Sequence, residues 1–260
     1  MVRRGLQSTK RKRLKRGNMR KQVAIIGGIG TASKFSEALL KELLAEDYHV
    51  VGIARSSNEK AELISEFQNA QQSNGQNSEV VLGDLNDSQF IKSEIERLEK
   101  EIGPIAVYIH NPAQLVLKPF LECSLEEFEG SWEAMVKTAV TVCKELIPHM
   151  IEQKSGTIIF TGATASLKGN AKSAPFSSAK FALRSLSQSL AREFGPKGIH
   201  IAHVIVDGII EGKRAQGQFN LPLEKCIKST ALAEQYVNLI KQDISCWTQE
   251  LDLRPHSEVF

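Results

Sequence analysis

Short runs of apolar residues alternate along this chain with longer segments in which apolar side chains recur every three or four positions. The runs, typical of strands buried on both faces, cover residues 23–26, 49–54, 79–82, 105–109, 157–161, 199–206 and 245–251. Helical spacing covers residues 32–45, 59–72, 88–101, 125–153, 181–194 and 223–241. Such alternation predicts a single α/β domain, with a parallel sheet and helices on both of its faces.

The first nineteen residues differ from the rest of the chain. Residues 1–18 contain eight Lys and Arg and no acid, whereas the remaining chain has 25 basic against 30 acidic side chains. Dense like charge predicts a disordered tail over residues 1–19 and a folded domain over 20–260. Two other roles for the tail stay open: contact with nucleic acid, which rests on charge alone and is not favoured, and organelle targeting.

Composition narrows the class of protein further. The chain has 260 residues, of which 42% are hydrophobic, so it can bury a sizeable core. It contains no apolar run of the roughly 18–20 residues that a membrane span needs, and no secretory signal near its start. The four cysteines are far apart and form no CxxC pair, which argues against disulfides and a zinc site. We therefore expect a cytoplasmic protein without a metal centre.

The stretch from residue 156 to 196 carries the clearest chemical signal. It predicts a strand, a small polar loop and a helix that stops at Gly195-Pro196, with the sequence Phe176-Ser-Ser-Ala-Lys180 at the start of that helix. It resembles the active-site region of the short-chain dehydrogenase/reductases. In that family a Ser at the strand end is followed thirteen positions later by Tyr, then by three residues and Lys. Lys180 matches the Lys, whereas Phe176 stands for the Tyr and Ala163 for the Ser.

A third position also departs from the family pattern. Active members carry an Asn thirteen positions before a Pro near the end of the long helix. Counting back from Pro148 gives Met135, whose thioether cannot hold the water that the Asn helps to position, so we expect Met135 to pack in the core. The chain therefore looks like an atypical branch of the family, with Phe in place of the catalytic Tyr. Its C-terminal sequence from Trp247 to Pro255 is similar to that branch as well.

The resemblance implies both a fold and an activity. The fold is a Rossmann-type doubly wound parallel sheet of about seven strands, in the order 3-2-1-4-5-6 with the seventh at the end. The activity is NAD(P)-dependent oxidoreduction, made weak, atypical or absent by the replaced catalytic groups. Thr164 is a candidate substitute, being next to Ala163. Ser166, Ser177, Ser178 and Lys180 itself are further candidates.

The turn after the first predicted strand is where this fold binds a pyrophosphate. It contains Gly27, Gly28 and Gly30, and small residues let backbone N–H groups approach phosphates at a helix N-terminus. The family spacing is Gly, three residues, Gly, one residue, Gly. If Gly27 is aligned with the first glycine of this pattern, Thr31 and Ser33 stand at the positions of the second and third. The match is partial, and an ordinary strand-to-helix turn is the alternative.

Two further positions resemble the family's adenosine site. Arg55 ends the second predicted strand, where a basic residue favours the 2′-phosphate of NADP; NAD stays open, because Arg55 at a strand end can also simply be solvated. Asp84 and Leu85 follow the third strand, where the family has an Asp that binds the adenine amino group. The alternative for Asp84 is a helix N-cap, for which Asn86 and Asp87 are better placed.

The resemblance assigns the remaining cofactor positions. Asn111 follows the fourth strand, where the family Asn ties strands together beside the cofactor, and Lys180 also serves as a ligand of the cofactor ribose. Gly208 is retained from a family Pro-Gly pair, with Asp207 in place of the Pro. Residues 213–222 resemble the mobile substrate loop. His200 and His203 alternate with apolar residues in a strand, which predicts a structural role.

Three functions follow as hypotheses. The first is an NADP-linked oxidoreductase acting on an unknown carbonyl or alcohol, with a displaced acid. The second is a catalytically silent domain that binds a nucleotide or metabolite, and the third is an interaction protein that uses its basic tail. Family members commonly form dimers or tetramers through their two long helices, so a homo-oligomer is expected.

Overall fold

The computed structural model of this protein describes residues 20–30, 34–55, 61, 65, 67, 69 and 78–257. The predicted basic tail lies outside the described residues, as do Thr31 and Ser33 of the Gly-rich turn. Most of the predicted helix over 59–72 is outside them too, although its four described residues are helical.

A parallel sheet forms the centre of the molecule. Its strands are β1 (Val23–Gly27), β2 (His49–Ala54), β3 (Ser78–Leu82), β4 (Ile105–His110), β5 (Gly156–Thr161), β6 (Ile199–Val206) and β7 (Glu250–Leu253). Their spatial order is 3-2-1-4-5-6-7, and every neighbouring pair is parallel. The predicted fold class and strand order are thereby confirmed. Four strands, β1, β2, β5 and β6, are buried along their whole length, which explains why they read as unbroken apolar runs.

Helices cover both faces of the sheet. They are α1 (Phe35–Ala45), α2 (Ser88–Glu101), α3 (Leu125–Trp132), α4 (Thr138–Gln153), α5 (Ala174–Phe194), α6 (Lys213–Gly217) and α7 (Ser229–Ile240). Helices α1 and α7 pack on one face, and α2, α4 and α5 pack on the other, so the core is two apolar layers separated by the strands. Within the described ranges, every helix is too short or too polar to cross a membrane.

Several predicted boundaries were wrong. The last strand occupies Glu250–Leu253 rather than residues 245–251, and the helix predicted from residue 223 begins at Ser229, after a short 3₁₀ turn at Leu223–Lys225. Part of the expected substrate loop is the short helix α6. Apolar periodicity locates a helix well but fixes its ends poorly, since the ends depend on capping and on tertiary contacts.

The long helix predicted over residues 125–153 is interrupted. Helix α3 starts with a capping box between Ser124 and Glu127 and runs into a π-helical turn at Glu133–Lys137, after which α4 continues. A π turn adds a residue to one turn and is common beside functional sites. This one places Met135 in the core layer and its neighbours Ala134 and Thr138 on an adjoining cavity.

The two histidines of β6 have structural contacts. The ring of His200 stacks on Trp247, with centroids 4.9 Å apart, and Nδ1 of His203 lies 3.2 Å from Oε2 of Glu250. Burial lowers the pKa of His203 to about 4, so the ring is neutral at pH 7. Both contacts fasten the C-terminal segment to the sheet, in agreement with the predicted structural role.

Candidate active site

A cavity of about 710 Å³ opens at the carboxyl ends of the strands. It lies beside the neighbouring strands β1 and β4, after which the chain turns to opposite faces of the sheet. Open α/β sheets bind ligands at this position. The cavity brings together most of the residues singled out from the sequence: Gly28, Gly30, Arg55, Asp84, Leu85, Asn111, Ala163, Thr164, Phe176, Lys180 and Gly208. Gly27 and Met135 are not part of its lining.

The turn after β1 requires glycine for steric reasons. Gly28 has φ +77°, and a Cβ there would lie 2.7 Å from backbone and ring atoms of Pro112. A Cβ on Gly27 would lie 2.8 Å from the hydroxyl of Tyr108. At Gly30, by contrast, a Cβ would meet no atom within 4 Å. Gly28 therefore allows the turn to approach Pro112 after β4, and Gly27 leaves room for the Tyr108 side chain of β4.

The backbone N–H groups of this turn are partly used by the protein itself. Those of Gly28 and Ile29 both donate to the carbonyl of Ile53, at 2.9 and 3.2 Å. The N–H of Gly30 makes a long contact of 3.4 Å with the hydroxyl of Ser36. The N–H groups of Gly28 and Ile29 are therefore already satisfied within the protein, and that of Gly30 is only weakly engaged.

The far end of the cavity contains Arg55, directly after β2, with its side chain exposed to solvent. Asp84 is also exposed, and its Oδ1 accepts the N–H of Asn86 at 2.9 Å. The N-cap of α2 is Asp87, whose Oδ1 accepts from Gln89 and Phe90. Capping is thus done by Asp87, and Asp84 still faces the cavity.

Asn111 joins two strand ends. Its backbone N–H donates to the carbonyl of Gly27 at 3.0 Å, which continues the β1–β4 pairing beyond the strands. The residue is half-buried and lines the cavity. This contact fits the strand-tying role that the resemblance implied.

Lys180 is the buried cation of the site. Its side chain is 3% exposed, and its Nζ donates to the carbonyl of Thr161, at the end of β5, at 2.7 Å. Burial lowers its pKa to about 8. Phe176, one turn earlier on α5, places its ring centroid 5.7 Å from Nζ. Lys180 therefore lies at the cavity wall as a partly desolvated ammonium group beside an aromatic ring.

Met135 is buried in the core layer with 0% exposure, as predicted. Its backbone carbonyl, turned by the π-helical segment, accepts from Nε2 of His110 at 2.8 Å. Nδ1 of His110 in turn accepts from the hydroxyl of Tyr108 at 2.8 Å. Burial lowers the pKa of His110 to about 3, so the neutral ring has a tautomer set by these two partners.

Two functional candidates escaped the sequence reasoning. Asp207 follows β6 and is 7% exposed; its Oδ1 accepts from the hydroxyl of Thr164, and its Oδ2 lies 3.3 Å from Nη1 of Arg254. Arg214, on α6, adds a third cation to the cavity lining beside Arg55 and Lys180. Two signals in the sequence could have found them: Asp207 stands at the position of the family Pro, and Arg214 lies in the stretch 213–222 that resembles the substrate loop.

Comparisons with known proteins define the class. Residues 22–218 match the family model for short chain dehydrogenases. A crystal structure of a short-chain dehydrogenase from Rhodopseudomonas palustris is 30% identical, covers 90% of this chain and 99% of its own, and superposes with a TM-score of 0.72. This chain belongs to the short-chain dehydrogenase family.

Two other similar proteins are informative. The 3-oxoacyl-[acyl-carrier-protein] reductase FabG of Escherichia coli (strain K12) is 26% identical over 194 residues, which cover 75% of each chain. A short chain oxidoreductase from Pseudomonas aeruginosa PAO1, described as NADPH-bound and as containing an atypical catalytic center, has a TM-score of 0.80. It is 17% identical and covers 91% of this chain and 96% of its own, so it supports the fold alone.

Proposed function

We propose that this protein binds NADP(H) in the 710 Å³ cavity and is an oxidoreductase of an atypical kind, acting on a small carbonyl or alcohol. The observation that carries the proposal is the placement of Arg55 at one end of the cavity and the buried Lys180 at the other, with the Gly28 turn between them. This arrangement suits a dinucleotide with phosphates on its adenosine half. The NADPH in the Pseudomonas aeruginosa relative supports the same choice of cofactor.

The chain's own residues have distinct roles in this proposal. Arg55 pairs with the 2′-phosphate, Asp84 and Leu85 contact the adenine, and the segment from Gly30 towards α1 holds the pyrophosphate. Lys180 hydrogen-bonds the nicotinamide ribose, and Asn111 and Gly208 shape the walls. The cofactor, when bound, supplies hydride exchange with a carbon atom of the substrate.

Proton transfer has to follow a route that differs from the family's. Reducing a carbonyl requires a proton on the developing oxyanion, and Phe176 has no proton to give. Ala163 has no group that can hydrogen-bond the carbonyl. Losing such acid–base assistance costs about 10²–10⁴-fold in rate, so turnover is slow unless another group takes the role.

A catalytically silent cofactor-binding protein is the second candidate function. It is favoured by the same two side chains, since the Phe176 ring and the Ala163 methyl group face the cavity where the family has hydroxyls. It predicts NADPH binding with no oxidation of the bound cofactor by any carbonyl. If the protein is silent, the double substitution Phe176→Tyr and Ala163→Ser should give it carbonyl reduction. If it is an oxidoreductase, the unmodified protein already oxidises NADPH with a carbonyl substrate.

Titration of NADPH and NADH into the full-length protein by calorimetry tests the proposal. We expect NADPH to bind in the micromolar range and NADH about tenfold or more weakly, because Arg55 pairs only with the 2′-phosphate. Arg55→Ala should weaken the binding of NADPH and leave the binding of NADH unchanged. Lys92→Ala, an exposed cation on α2 outside the cavity, is the control and should change neither. No binding of either nucleotide at millimolar concentration refutes the proposal.

We also propose that the protein self-associates through the helices that flank the site. Trp132 at the end of α3 and Phe181 on α5 are 46% and 42% exposed, so each helix presents a large aromatic side chain at its surface. A second copy of the chain, packed against these helices, would remove both from water. The binding of nucleic acid by the basic tail stays a hypothesis.

A further inference from the structure

Four hydroxyl groups were singled out from the sequence as candidates for the missing proton donor, and their contacts separate them. Thr161 and Ser173 also line the cavity, but the hydroxyl of Thr161 pairs with that of Tyr236 and the hydroxyl of Ser173 donates to the carbonyl of Asn170. Ser166 has 0% exposure, and its Oγ accepts the N–H of Ala163 at 3.2 Å. Ser177 is buried, and its Oγ lies 2.6 Å from that of Ser173. Ser178 is exposed and donates to the carbonyl of Pro175 at 3.0 Å. None of these three lines the cavity.

Thr164 differs from them because it lines the cavity and its hydroxyl is hydrogen-bonded to the carboxylate of Asp207. It begins the 3₁₀ turn Thr164–Ser166 after β5, and Asp207 follows the adjacent strand β6. The two strand ends are held together by pairing up to Thr161 and Val204 and by the N–H of Gly162, which donates to the carbonyl of Val204 at 2.7 Å. The sheet itself therefore brings Thr164 and Asp207 into contact.

The direction of this hydrogen bond decides what Thr164 can do. An ionised carboxylate only accepts, so the hydroxyl proton of Thr164 is directed to Oδ1 of Asp207. The lone pairs of Thr164 Oγ1 then remain to accept a proton from a group in the cavity. Nη1 of Arg254 pairs with the other carboxylate oxygen, Oδ2, at 3.3 Å, so that the two oxygens of Asp207 have different partners.

We propose that Thr164 and Asp207 form the proton relay of this site and take the place of the family's Tyr, with Arg254 as the positioning residue. This deepens the proposed function and rests on it. The relay selects a substrate whose reacting group is a hydroxyl, or a carbonyl reduced to one, attached to an apolar body. Leu115, Leu117, Phe219 and Leu221 provide the apolar walls for that body.

Alcohol oxidation at this site moves two protons through the relay. The substrate hydroxyl gives its proton to Oγ1 of Thr164 while Thr164 gives its own proton to Oδ1 of Asp207. Bound NADP, which the proposed function supplies, would accept the hydride that leaves with both electrons when the carbon–hydrogen bond breaks. A carbonyl is left on the substrate, and the neutral Asp207 releases its proton to water. Reduction runs through the same contacts in reverse.

The first test is an equilibrium measurement without turnover. Benzhydrol and benzhydryl methyl ether, of which only the alcohol can donate a hydrogen bond, are titrated into full-length protein saturated with NADPH. Neither contains a carbonyl that NADPH could reduce, and the alcohol cannot be oxidised by the reduced cofactor. We expect benzhydrol to bind about fivefold more tightly, as one added hydrogen bond implies. Thr164→Val should bring the ratio to about one without changing the NADPH dissociation constant. Equal binding of both probes by the unmodified protein, or binding of neither, overturns the relay.

The second test follows NADPH oxidation by benzil. Asp207→Asn should lower the rate by about 10²-fold or more, while the NADPH dissociation constant stays unchanged. Formate should restore part of the rate to Asp207→Ala, which a purely structural role for the carboxylate does not predict. Ser178→Ala, whose hydroxyl lies outside the cavity, is the matched control and should react normally.

The remaining outcomes are also decisive. An Asp207→Asn protein that keeps full turnover overturns the relay, and so does unmodified protein that binds NADPH but does not reduce benzil. Failure to bind NADPH at all is a different result, because it refutes the proposed function before the relay is reached.

Discussion

Lys180 shows how a single buried charge links stability to the chemistry of the site. Its ammonium group is enclosed by protein, satisfied by the carbonyl of Thr161 and placed beside the ring of Phe176. An isolated buried cation is destabilising, so it persists only where something else requires it. In the proposed function that requirement is the cofactor ribose.

The pKa of Lys180 gives a prediction with a definite sign. Burial lowers this pKa from 10.5 to about 8, so between those pH values the unfolded chain holds a proton that the folded protein has released. Raising the pH through this window therefore favours folding, and below about pH 8 the full cost of burying the charge remains. The shift corresponds to about 3 kcal/mol.

Lys180→Met should remove this dependence. Denaturant unfolding of the variant and the unmodified protein at pH 7.5, 9 and 10.5 measures it. We expect the variant to be the more stable at pH 7.5 and its advantage to shrink as the pH rises. If the free energies of unfolding of the two proteins changed equally with pH, Lys180 would have its ordinary pKa in the folded state.

At the scale of elements, the turn between β1 and α1 depends on how closely two segments approach. Gly28 adopts a positive φ and contacts Pro112 after β4, whereas Gly30, two residues later, faces open space. The two glycines look alike in sequence, and only their neighbours distinguish them. This difference provides a matched pair of substitutions.

Gly28→Ala should lower the free energy of unfolding by about 1–3 kcal/mol, because the added methyl group meets Pro112 and the backbone is left strained. It should also weaken NADPH binding, since the turn has to move. Gly30→Ala should change the free energy of unfolding by less than about 0.5 kcal/mol. Thermal and denaturant unfolding of both variants measure the contrast, and equal effects would contradict this account of the turn.

For the whole molecule, long-range ion pairs fasten the C-terminal segment over the site. Arg184 on α5 makes two hydrogen bonds to Glu250 on β7, at 2.6 and 2.7 Å, and the same carboxylate contacts His203 on β6. Arg254, just beyond β7, reaches Asp207. The C-terminal segment therefore completes the sheet edge and supplies a residue to the proposed relay.

Self-association is the prediction that belongs to this scale. Trp132→Glu should shift the protein towards monomer in sedimentation or light scattering. Burying the new carboxylate in the proposed helix interface would cost a large desolvation free energy. Ile244→Glu is the control: Ile244 is 68% exposed but lies after α7, away from α3 and α5, and its replacement should leave the assembly unchanged. An unchanged mass for both variants would exclude this surface as the interface.

Much of the fold was predictable because its signals are local. A strand buried on both faces is an apolar run, and a helix with one buried face is apolar every third or fourth residue, so the alternation of the two predicts a parallel sheet before any contact is known. The resemblance also predicts that Lys180 is the family Lys and that Phe176, Ala163 and Met135 stand at its other catalytic positions. Helix ends, the π turn and the last strand were missed or shifted, because they depend on caps and neighbouring elements.

What the sequence determined by itself was the class of fold and the family resemblance, which predicts that Phe176 and Ala163 stand where the family has catalytic hydroxyls. What only the tertiary structure decided was which hydroxyl has a carboxylate partner. Thr164 and Asp207 are 43 residues apart in the chain, and no local pattern relates them. They meet because β5 and β6 are adjacent in the sheet and end at the same edge, where Arg254 also arrives from the end of β7.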